Sequence, residues 1–291
     1  MNNTYNYFVS HPDEFKQLVV KDVLFLHYIC PQAEKYMYLN SHLNQIGFTL
    51  AGDKTIHVGE KAWIMTQESS IFVKKTAWKQ ELGTTGWEIL SFYFPDNYLK
   101  FFFKEYREQL PLKNLPAIPS DMLIKIEVDA VTRAFFYGII PYFNQRDPPP
   151  EDLLELKFKE LLFHILSNPN NAEVLAYINS MMGNSKPPLD EIMEANFNFN
   201  LTLEEYARIA QRSLATFKRD FEELYHSSPG KWLKTRRLKY AKHLLDTSKM
   251  NINEIACDSG FENATHFIRV FKEEFGMAPL QLRKQLKVMM P

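Results

Sequence analysis

The last third of the chain repeats one local pattern about fifty residues apart: two short amphipathic helices joined by a tight turn. In the later copy, Asn251 or Asn253 is suited to cap a helix that runs through Cys257. Asn263 is suited to cap a second helix that reaches Phe275. Gly260 lies between the two helices and tolerates the positive φ that a tight turn requires. The spacing predicts a helix-turn-helix unit.

The earlier copy has the same arrangement. Thr202 and Glu205 form a capping-box pair at the start of its first helix, and Ser213 is placed to cap its second helix. Apolar side chains at helical spacing are expected to face inward: Leu203, Tyr206, Ala207, Ala210, Phe217, Phe221 and Leu224. The chain is therefore predicted to contain two helix-turn-helix units.

The second helix of each unit has an outer face suited to a DNA groove. Arginine offers a two-pronged donor to guanine, and threonine and isoleucine contact the thymine methyl group. The candidate DNA-binding residues are Ala215, Lys218 and Arg219 in the first unit, and Asn263, Ala264, Thr265, Ile268, Arg269 and Lys272 in the second. The predicted inner face of the second unit contains Phe267, Val270, Phe271 and Phe275. The alternative interpretation is an ordinary solvated helix surface.

A third helix is expected between the units, over Pro229 to Leu245. Trp232, Leu233, Arg237, Tyr240, Ala241 and Leu244 follow one another there at helical spacing. At 1.5 Å per residue this helix is roughly 25 Å long. A spacer of that length suits two helices in successive major grooves, which are about 34 Å apart.

The residues of this region resemble the signature of the AraC/XylS family of transcription regulators. The matching positions are Ile255, Ala256, Gly260, Phe261, His266, Phe267, Phe271, Lys272, Phe275, Gly276, Pro279 and Arg283, with Arg237, Ala241, Leu244 and Leu245 upstream. The resemblance implies that both recognition helices enter adjacent major grooves of double-stranded DNA. It also implies an activator that contacts RNA polymerase.

Two positions depart from the family pattern. His226 stands where the family usually has glycine, and Leu282 stands where it has an aromatic residue. The first recognition helix also carries the acidic residues Asp220 and Glu222 beside Ala215. This helix is therefore expected either to read bases or mainly to position the protein on the duplex.

The first half of the chain has a different pattern. From Leu39 to Phe94, short runs rich in Val, Ile, Phe, Trp and Thr alternate with glycines, which is typical of antiparallel strands in a barrel or sandwich. After Pro95 the pattern becomes helical, with apolar faces at Leu99, Phe102, Phe103 and Tyr106, at Val131, Phe135 and Ile139, and at Leu154, Phe158, Leu161, Leu162 and Ile165. This half is similar to the cupin-like sensory domain of the same family.

The sequence indicates no catalytic residue, metal site or cofactor. His27, His42 and His57 are isolated, whereas cupin metal sites use closely spaced histidines. Five aromatic residues line either an effector pocket or, more simply, the core: Trp63, Phe72, Trp78, Trp87 and Phe92. They leave open whether the effector is a small molecule or a protein. The helices over 152–167 and 171–182 are expected to pack on each other or on a second subunit of a homodimer.

The predicted fold class is thus α+β, with a cupin-like antiparallel β-barrel and helices in residues 1–182, a linker at 183–188, and an all-α double helix-turn-helix domain in 189–291. Residues 200–291 contain 16 Lys and Arg residues against 11 Asp and Glu residues, and this excess suits nucleic acid. Cys30 and Cys257 are expected to be buried thiols in a reducing compartment, and no stretch is long enough to span a membrane, so the cytoplasm is the expected location. The sequence favours a sequence-specific DNA-binding transcription regulator. The alternative is a cupin-type enzyme or carrier with a DNA-binding appendage.

Overall fold

The computed structural model describes residues 2–30, 35–83, 86–183 and 186–289. The chain forms two compact units, Met1–Ser185 and Lys186–Pro291. The boundary between them falls within the predicted linker, of which Asn184 and Ser185 lie outside the described residues.

The first unit combines strands and helices. Its strands in the described residues are β1 (Asn2–Asn3), β2 (Lys16–Val20), β3 (Val23–Cys30), β4 (Tyr36–Ser41), β5 (Asn44–Ala51), β6 (Lys54–Val58), β7 (Lys61–Met65), β8 (Ser70–Val73), β9 (Thr76–Leu82), β10 (Trp87–Phe94) and β11 (Leu123–Ile126). Its α-helices there are α1 (Thr4–Ser10), α2 (Asp96–Tyr106), α3 (Ala130–Ile139), α4 (Glu151–Ser167) and α5 (Ala172–Ser180).

The strands form two sheets. The five-stranded sheet has the order β1-β4-β9-β6-β7, and the six-stranded sheet has the order β11-β8-β5-β10-β3-β2. Every pairing in the described residues is antiparallel except the short parallel pair of β1 and β4. In the register of the six-stranded sheet, Phe92 of β10 lies opposite Phe25 of β3 and Ile46 of β5.

The central strands β5 and β10 of the six-stranded sheet are buried along nearly their whole length, because both faces of the sheet are covered there. One face packs against the helices that follow the strands. There Phe48 stacks on Phe136 of α3 at 4.1 Å between ring centroids, and Phe92 lies 6.2 Å from Phe158 of α4. The same core includes Leu99, Phe102 and Phe103 of α2 and Leu175 and Ile178 of α5.

One predicted core position in this unit is wrong. Val131 is 56% exposed, and the buried residues of α3 are Thr132, Phe135, Phe136 and Ile139. Asp129 caps this helix by accepting from the backbone N–H of Thr132, and Thr132 is buried. At 100° per residue, Val131 then lies about 90° around the helix from the centre of the buried face.

The second unit is entirely helical in the described residues. Its helices are α6 (Leu189–Asn196), α7 (Leu203–Ile209), α8 (Leu214–Tyr225), α9 (Pro229–Thr247), α10 (Ile252–Asp258), α11 (Ala264–Phe275) and α12 (Pro279–Met289). The predicted fold class, α+β with a helical double helix-turn-helix region, is confirmed.

Three burial predictions in the second unit are corrected. Leu224 is 51% exposed, because the inward position of the last turn of α8 belongs to Tyr225, whose ring lies 4.5 Å from that of Phe221. Leu244 is only half-buried, whereas Leu245 is fully within the core of the later unit. Cys257 is exposed, and only Cys30 is a buried thiol.

Candidate nucleic-acid interface

The later helix-turn-helix unit is formed by α10 and α11, and its caps are as predicted. The side chain of Asn251 accepts from the backbone N–H groups of Asn253 and Glu254. In turn, the Glu254 carboxylate accepts from the backbone N–H of Asn251 at 2.7 Å. The side chain of Asn263 accepts from the backbone N–H of His266 at 2.7 Å. These bonds satisfy backbone donors that a helix start otherwise leaves unpaired. The capping predictions for Asn251 and Asn263 are therefore confirmed.

Gly260 makes the turn between these helices possible. Its φ is +80°, and a Cβ at this position would lie 2.9 Å from the carbonyl oxygen of Asn198. Both the left-handed backbone and the close approach exclude a larger residue without rearrangement. The sequence prediction of a positive φ at Gly260 is confirmed.

The recognition helix of this unit, α11, separates its faces as expected. Phe267, Val270 and Phe271 are buried, and Phe275 packs against the same core. The outer face presents exposed side chains at the candidate positions, with Ala264 half-buried: Asn263, Ala264, Thr265, Ile268, Arg269 and Lys272. The guanidinium of Arg269 is held by the carboxylate of Glu273, one turn later, at 2.7 Å. This exposed pair is of a kind worth only a few tenths of a kcal/mol, so a guanine edge is able to displace Glu273.

The earlier unit is formed by α7 and α8. Thr202 and Glu205 form the predicted capping box, and the Ser213 hydroxyl accepts from the backbone N–H of Thr216 at 3.2 Å. Phe217 and Phe221 are buried beneath α8. Its outer face presents exposed Ala215, Lys218 and Arg219. The structure thus places the candidate residues of each unit together on the exposed face of one helix, and their part in DNA binding stays a prediction.

The two units differ at their left-handed positions. The later unit has Gly260 in its turn and Gly276, with φ +76°, after its recognition helix. The earlier unit has Gln211 with φ +54° and His226 with φ +49°. A side chain in this conformation costs about 1 kcal/mol or more relative to glycine. The earlier helix-turn-helix unit therefore carries backbone strain that the later one lacks.

Two arginines, one on the connecting helix α9 and one on α12, hold the segments that lead into the two helix-turn-helix units. Helix α9 contains 19 residues and is therefore about 28 Å long. Arg237 of α9 donates to the carbonyl oxygens of Phe197 at 2.7 Å and Phe199 at 2.8 Å, in the segment between α6 and α7. Arg283 of α12 donates to the carbonyl oxygen of Met250 at 2.6 Å, immediately before α10. These charge-assisted bonds fix the entry of the chain into each unit.

Sequence reasoning missed a charged cluster beside the first recognition helix. Arg212, in the turn of the earlier unit, is 9% exposed and donates to the Asp220 carboxylate at 3.0 Å and to the carbonyl oxygen of Pro187 at 3.0 Å. Arg219 and Lys186 also bind that carboxylate, at 3.0 and 3.4 Å. The pKa of Asp220 is lowered, first by the hydrogen bond from Arg212 and then by those from Arg219 and Lys186. The sequence signal was weak, because Lys186 and Asp220 are 34 residues apart.

Burial also raises the pKa of a tyrosine in the earlier helix-turn-helix unit. Tyr206 is fully buried, and its hydroxyl donates to the carbonyl oxygen of Asn196 at 2.7 Å. Burial raises the pKa of this phenol to about 12. Tyr206 is therefore a neutral structural donor that joins α7 to the end of α6.

The first unit contains no cluster of three His, Cys, Asp or Glu side chains able to hold a metal ion among the residues that the structure describes. His27 instead pairs with Glu88 at 2.6 Å. Of the aromatic residues proposed for a pocket, Trp63 is half-buried, while Phe72, Trp78, Trp87 and Phe92 are buried. Phe72 and Phe92 belong to the core beneath the helices.

A small cavity lies between the two sheets. Its volume is about 20 Å³, and its walls include Ile56, Trp78 and Trp87. Lys54 also faces this cavity, where its ammonium group donates to Gln80 at 3.1 Å and lies 4.3 Å from the ring of Trp87. A space of this size holds roughly one water molecule.

Across the described residues, no helix is both long enough and apolar enough to cross a membrane.

Both units match known family models. Residues 44–177 match the ExsA N-terminal regulatory domain, and residues 206–285 match a helix-turn-helix domain. The chain is 25% identical over 236 residues to the virulence regulon transcriptional activator VirF of Yersinia enterocolitica, covering 80% of this chain and 86% of VirF. It is 30% identical over 135 residues to the regulator ExsA of Pseudomonas aeruginosa, covering 46% of this chain and 49% of ExsA.

A solved structure of ToxT from Vibrio cholerae aligns with 90% of this chain and 98% of its own, at 14% identity and a TM-score of 0.42. The two domain matches follow one another along the chain in the order that the sequence signature predicted. The chain thus combines an ExsA-type N-terminal regulatory domain with an AraC-type helix-turn-helix domain, and it is similar along most of its length to an AraC-family transcription regulator.

Proposed function

We propose that this protein is a sequence-specific DNA-binding transcription regulator that inserts α8 and α11 into two successive major grooves. The observation that carries the proposal is the duplicated unit itself: two capped recognition helices, each with an exposed polar face, joined by the 19-residue helix α9. A single solvated helix surface does not account for two matched copies. The proposed contact residues are Ala215, Lys218 and Arg219 on α8, and Asn263, Ala264, Thr265, Ile268, Arg269 and Lys272 on and before α11.

The proposed readout differs between the two helices. On α11, Arg269 offers its fork to a guanine, while Thr265 and Ile268 offer methyl groups to a thymine. On α8, the charge of Arg219 is partly offset by Asp220, whereas Lys218 is exposed. We therefore assign most of the base discrimination to α11, a smaller share to Arg219, and a phosphate contact to Lys218.

The first unit is proposed to act as the regulatory domain. It matches a model described as a regulatory domain, and the cavity between its sheets is about 20 Å³. Pockets for small-molecule ligands typically measure roughly 300–1,000 Å³. An open depression of about 500 Å³ on the same unit, whose walls include Asp53, Thr55 and Glu81, lies within that range, so the proposal keeps both a small molecule and a protein as effector classes.

The apolar helix faces considered for a homodimer already have partners within the first unit. The apolar faces of α4 and α5 are buried within the first unit, where Phe158, Leu161 and Leu175 belong to its core. We therefore propose no homodimer through these faces.

The proposal includes activation of transcription through a contact with RNA polymerase in the cytoplasm. Its support is the activator VirF among the relatives.

The alternative function, a cupin-type enzyme or carrier with a DNA-binding appendage, gains no support from a particular observation. The relatives reported above are transcription regulators. Metal content and ligand-dependent thermal shifts of residues 1–182 distinguish the two hypotheses, because a bound transition metal with turnover supports the enzyme.

The proposed function is tested by DNA selection followed by gel-shift titration. Sequencing the chromosomal fragments that the protein binds defines a site, on which Arg269→Ala should lower affinity by about 1–3 kcal/mol and relax the preference at one base pair. The matched control is Lys249→Ala, which removes an exposed cation outside both recognition helices. It should weaken specific and non-specific DNA to the same extent, if at all. If Arg269→Ala leaves the base preference unchanged, Arg269 does not read a base.

A further inference from the structure

One carboxylate beside the first recognition helix joins three parts of the second unit. Asp220 binds Lys186 from the segment that follows the unit boundary, Arg212 from the turn before α8, and Arg219 from the outer face of α8. Lys186 and Arg212 share its Oδ2 atom, while Arg219 binds Oδ1. The cluster therefore connects the chain between the units to a candidate DNA-contacting side chain.

Comparison of the two units shows that this carboxylate is a departure from the common design. Fifty residues later, the position that corresponds to Asp220 is occupied by Val270, which is buried in the core of the later unit. Arg269, which corresponds to Arg219, instead pairs with Glu273 one turn later on the same helix. Among the described residues, only the earlier helix-turn-helix unit thus has its recognition-helix arginine bound to a residue that also holds the interdomain segment, residues 186 and 187.

The geometry of Arg219 is unusual for a helix. Neighbouring residues on a helix do not face each other, and arginine ordinarily pairs with a carboxylate three or four positions away. Glu223 stands at that distance and is exposed, yet Arg219 bonds to the adjacent Asp220 at 3.0 Å. Since 72% of the Arg219 side chain is exposed, its guanidinium is accessible to DNA while it is bound to Asp220.

The anchoring of the interdomain segment has a second component. Arg212 donates to the carbonyl oxygen of Pro187 as well as to Asp220, so residues 186 and 187 are both held at this place. The Asp220 carboxylate therefore binds Lys186 and Arg212 through one oxygen and Arg219 through the other. When Lys186 is withdrawn, less of the negative charge of Asp220 is neutralised, so the carboxylate attracts Arg219 more strongly.

We propose that Asp220 is a positioning residue that competes with DNA for Arg219, to an extent set by Lys186, and so links the state of the interdomain segment to reading by α8. The inference rests on the proposed function, because it assumes that Arg219 contacts the duplex. When Lys186 is bound, Asp220 attracts Arg219 less strongly and the guanidinium is available to the groove. When Lys186 is withdrawn, Asp220 retains Arg219 and the first recognition helix reads DNA less well.

The test measures specific and non-specific affinity of the full-length protein at one fixed salt concentration. Asp220→Asn should tighten specific DNA about tenfold and non-specific DNA only about twofold, since it releases a base-reading arginine as well as removing one negative charge. Glu223→Gln is the matched control, because it removes the same charge from the same helix without touching the interdomain segment. It should tighten both kinds of DNA by a similar factor of about two.

Double variants identify the linked residues. In an Arg219→Ala background, Asp220→Asn should give only the gain of the Glu223→Gln control. Lys186→Met should lower the ratio of specific to non-specific affinity about threefold in the otherwise unchanged protein and leave it unchanged in Asp220→Asn. Asp220→Glu, which keeps the carboxylate, should restore behaviour close to that of the parent protein.

Equal gains from Asp220→Asn and Glu223→Gln, or additive effects of Lys186→Met and Arg219→Ala, would overturn the inference. If Asp220→Asn fails to fold, as judged by circular dichroism, the Lys186 and Arg219 double-variant cycle alone decides the matter. Arg269→Ala separates this result from the proposed function. If it changes base preference while Asp220→Asn behaves like its control, only the role of Asp220 is lost.

Discussion

A buried lysine in the first unit makes the stability of that unit depend on pH. Lys54 is 7% exposed, and no carboxylate of the described residues forms an ion pair with it. Its contacts are the Gln80 side chain and the face of Trp87. Burial lowers the pKa of this ammonium group from 10.5 to about 7, because the charged form loses its water.

The sign of the effect follows from proton binding. Between pH 7 and about 10, the unfolded chain holds a proton on Lys54 that the folded chain has released. Stability therefore rises with pH across this window, by at most about 1.4 kcal/mol per pH unit, and the penalty is fully present below pH 7. A shift from 10.5 to about 7 corresponds to a penalty on the order of 3–5 kcal/mol.

Lys54→Met tests this reasoning, because methionine keeps an unbranched side chain and removes the charge. At pH 6 the variant should be more stable than the parent by about 3 kcal/mol or more, and the difference should shrink towards pH 10. Urea titrations at pH 6, 7, 8 and 9 measure it by tryptophan fluorescence, in a Trp232→Phe background that confines the signal to the first unit. Lys100→Met, on an exposed position of α2, is the control and should leave the pH profile unchanged. Parallel pH profiles for Lys54→Met and its parent would refute the argument.

Three further predictions concern the second unit. His226→Gly should stabilise this unit by about 0.5–1 kcal/mol, because glycine tolerates the left-handed conformation. Gly276→Ala should destabilise it by about 1 kcal/mol through the backbone alone, since no atom lies within 4 Å of the added Cβ. Thermal unfolding of both variants measures the two changes. Leu245→Ala should cost about 2–5 kcal/mol of unfolding free energy, whereas the exposed Lys242→Ala should cost little, and equal losses in a denaturant titration would contradict the assigned helix faces. A fragment of residues 186–291, which keeps Lys186 and Pro187, should fold alone and bind a single DNA site nearly as well as the full chain in a gel shift, and an unfolded fragment would refute the proposed division into domains.

The helix-turn-helix units are the part of the molecule that the sequence predicted best. Their starts depend on hydrogen bonds between residues three positions apart, such as Asn263 to His266. Their inward faces follow the helical period, as Phe267 and Phe271 do. Both signals are local, so they are legible in a single sequence. The location of the candidate DNA-binding face followed from the same pattern.

The errors occur where neighbouring elements decide which side of a helix is covered. Val131, Leu224 and Leu244 each lie at the margin of an apolar stripe, where a rotation of one residue changes exposure. In α8, the ring of Tyr225 occupies the inward position beside Trp232, 5.1 Å away, which leaves Leu224 outside. Periodicity gives the direction of a stripe but not its edges, because the edges depend on the shape of what packs against it.

The sequence by itself determined the local architecture of this protein: two capped helix pairs, the left-handed turn at Gly260, and a strand-rich half before them. Only the tertiary structure decided the charged interactions. Lys54 looks like any strand lysine until two sheets enclose it, and Asp220 looks like a surface carboxylate until Lys186 reaches it from 34 positions earlier. The physical reason is that electrostatic energies depend on burial and distance, and both are set by contacts between residues remote in the chain.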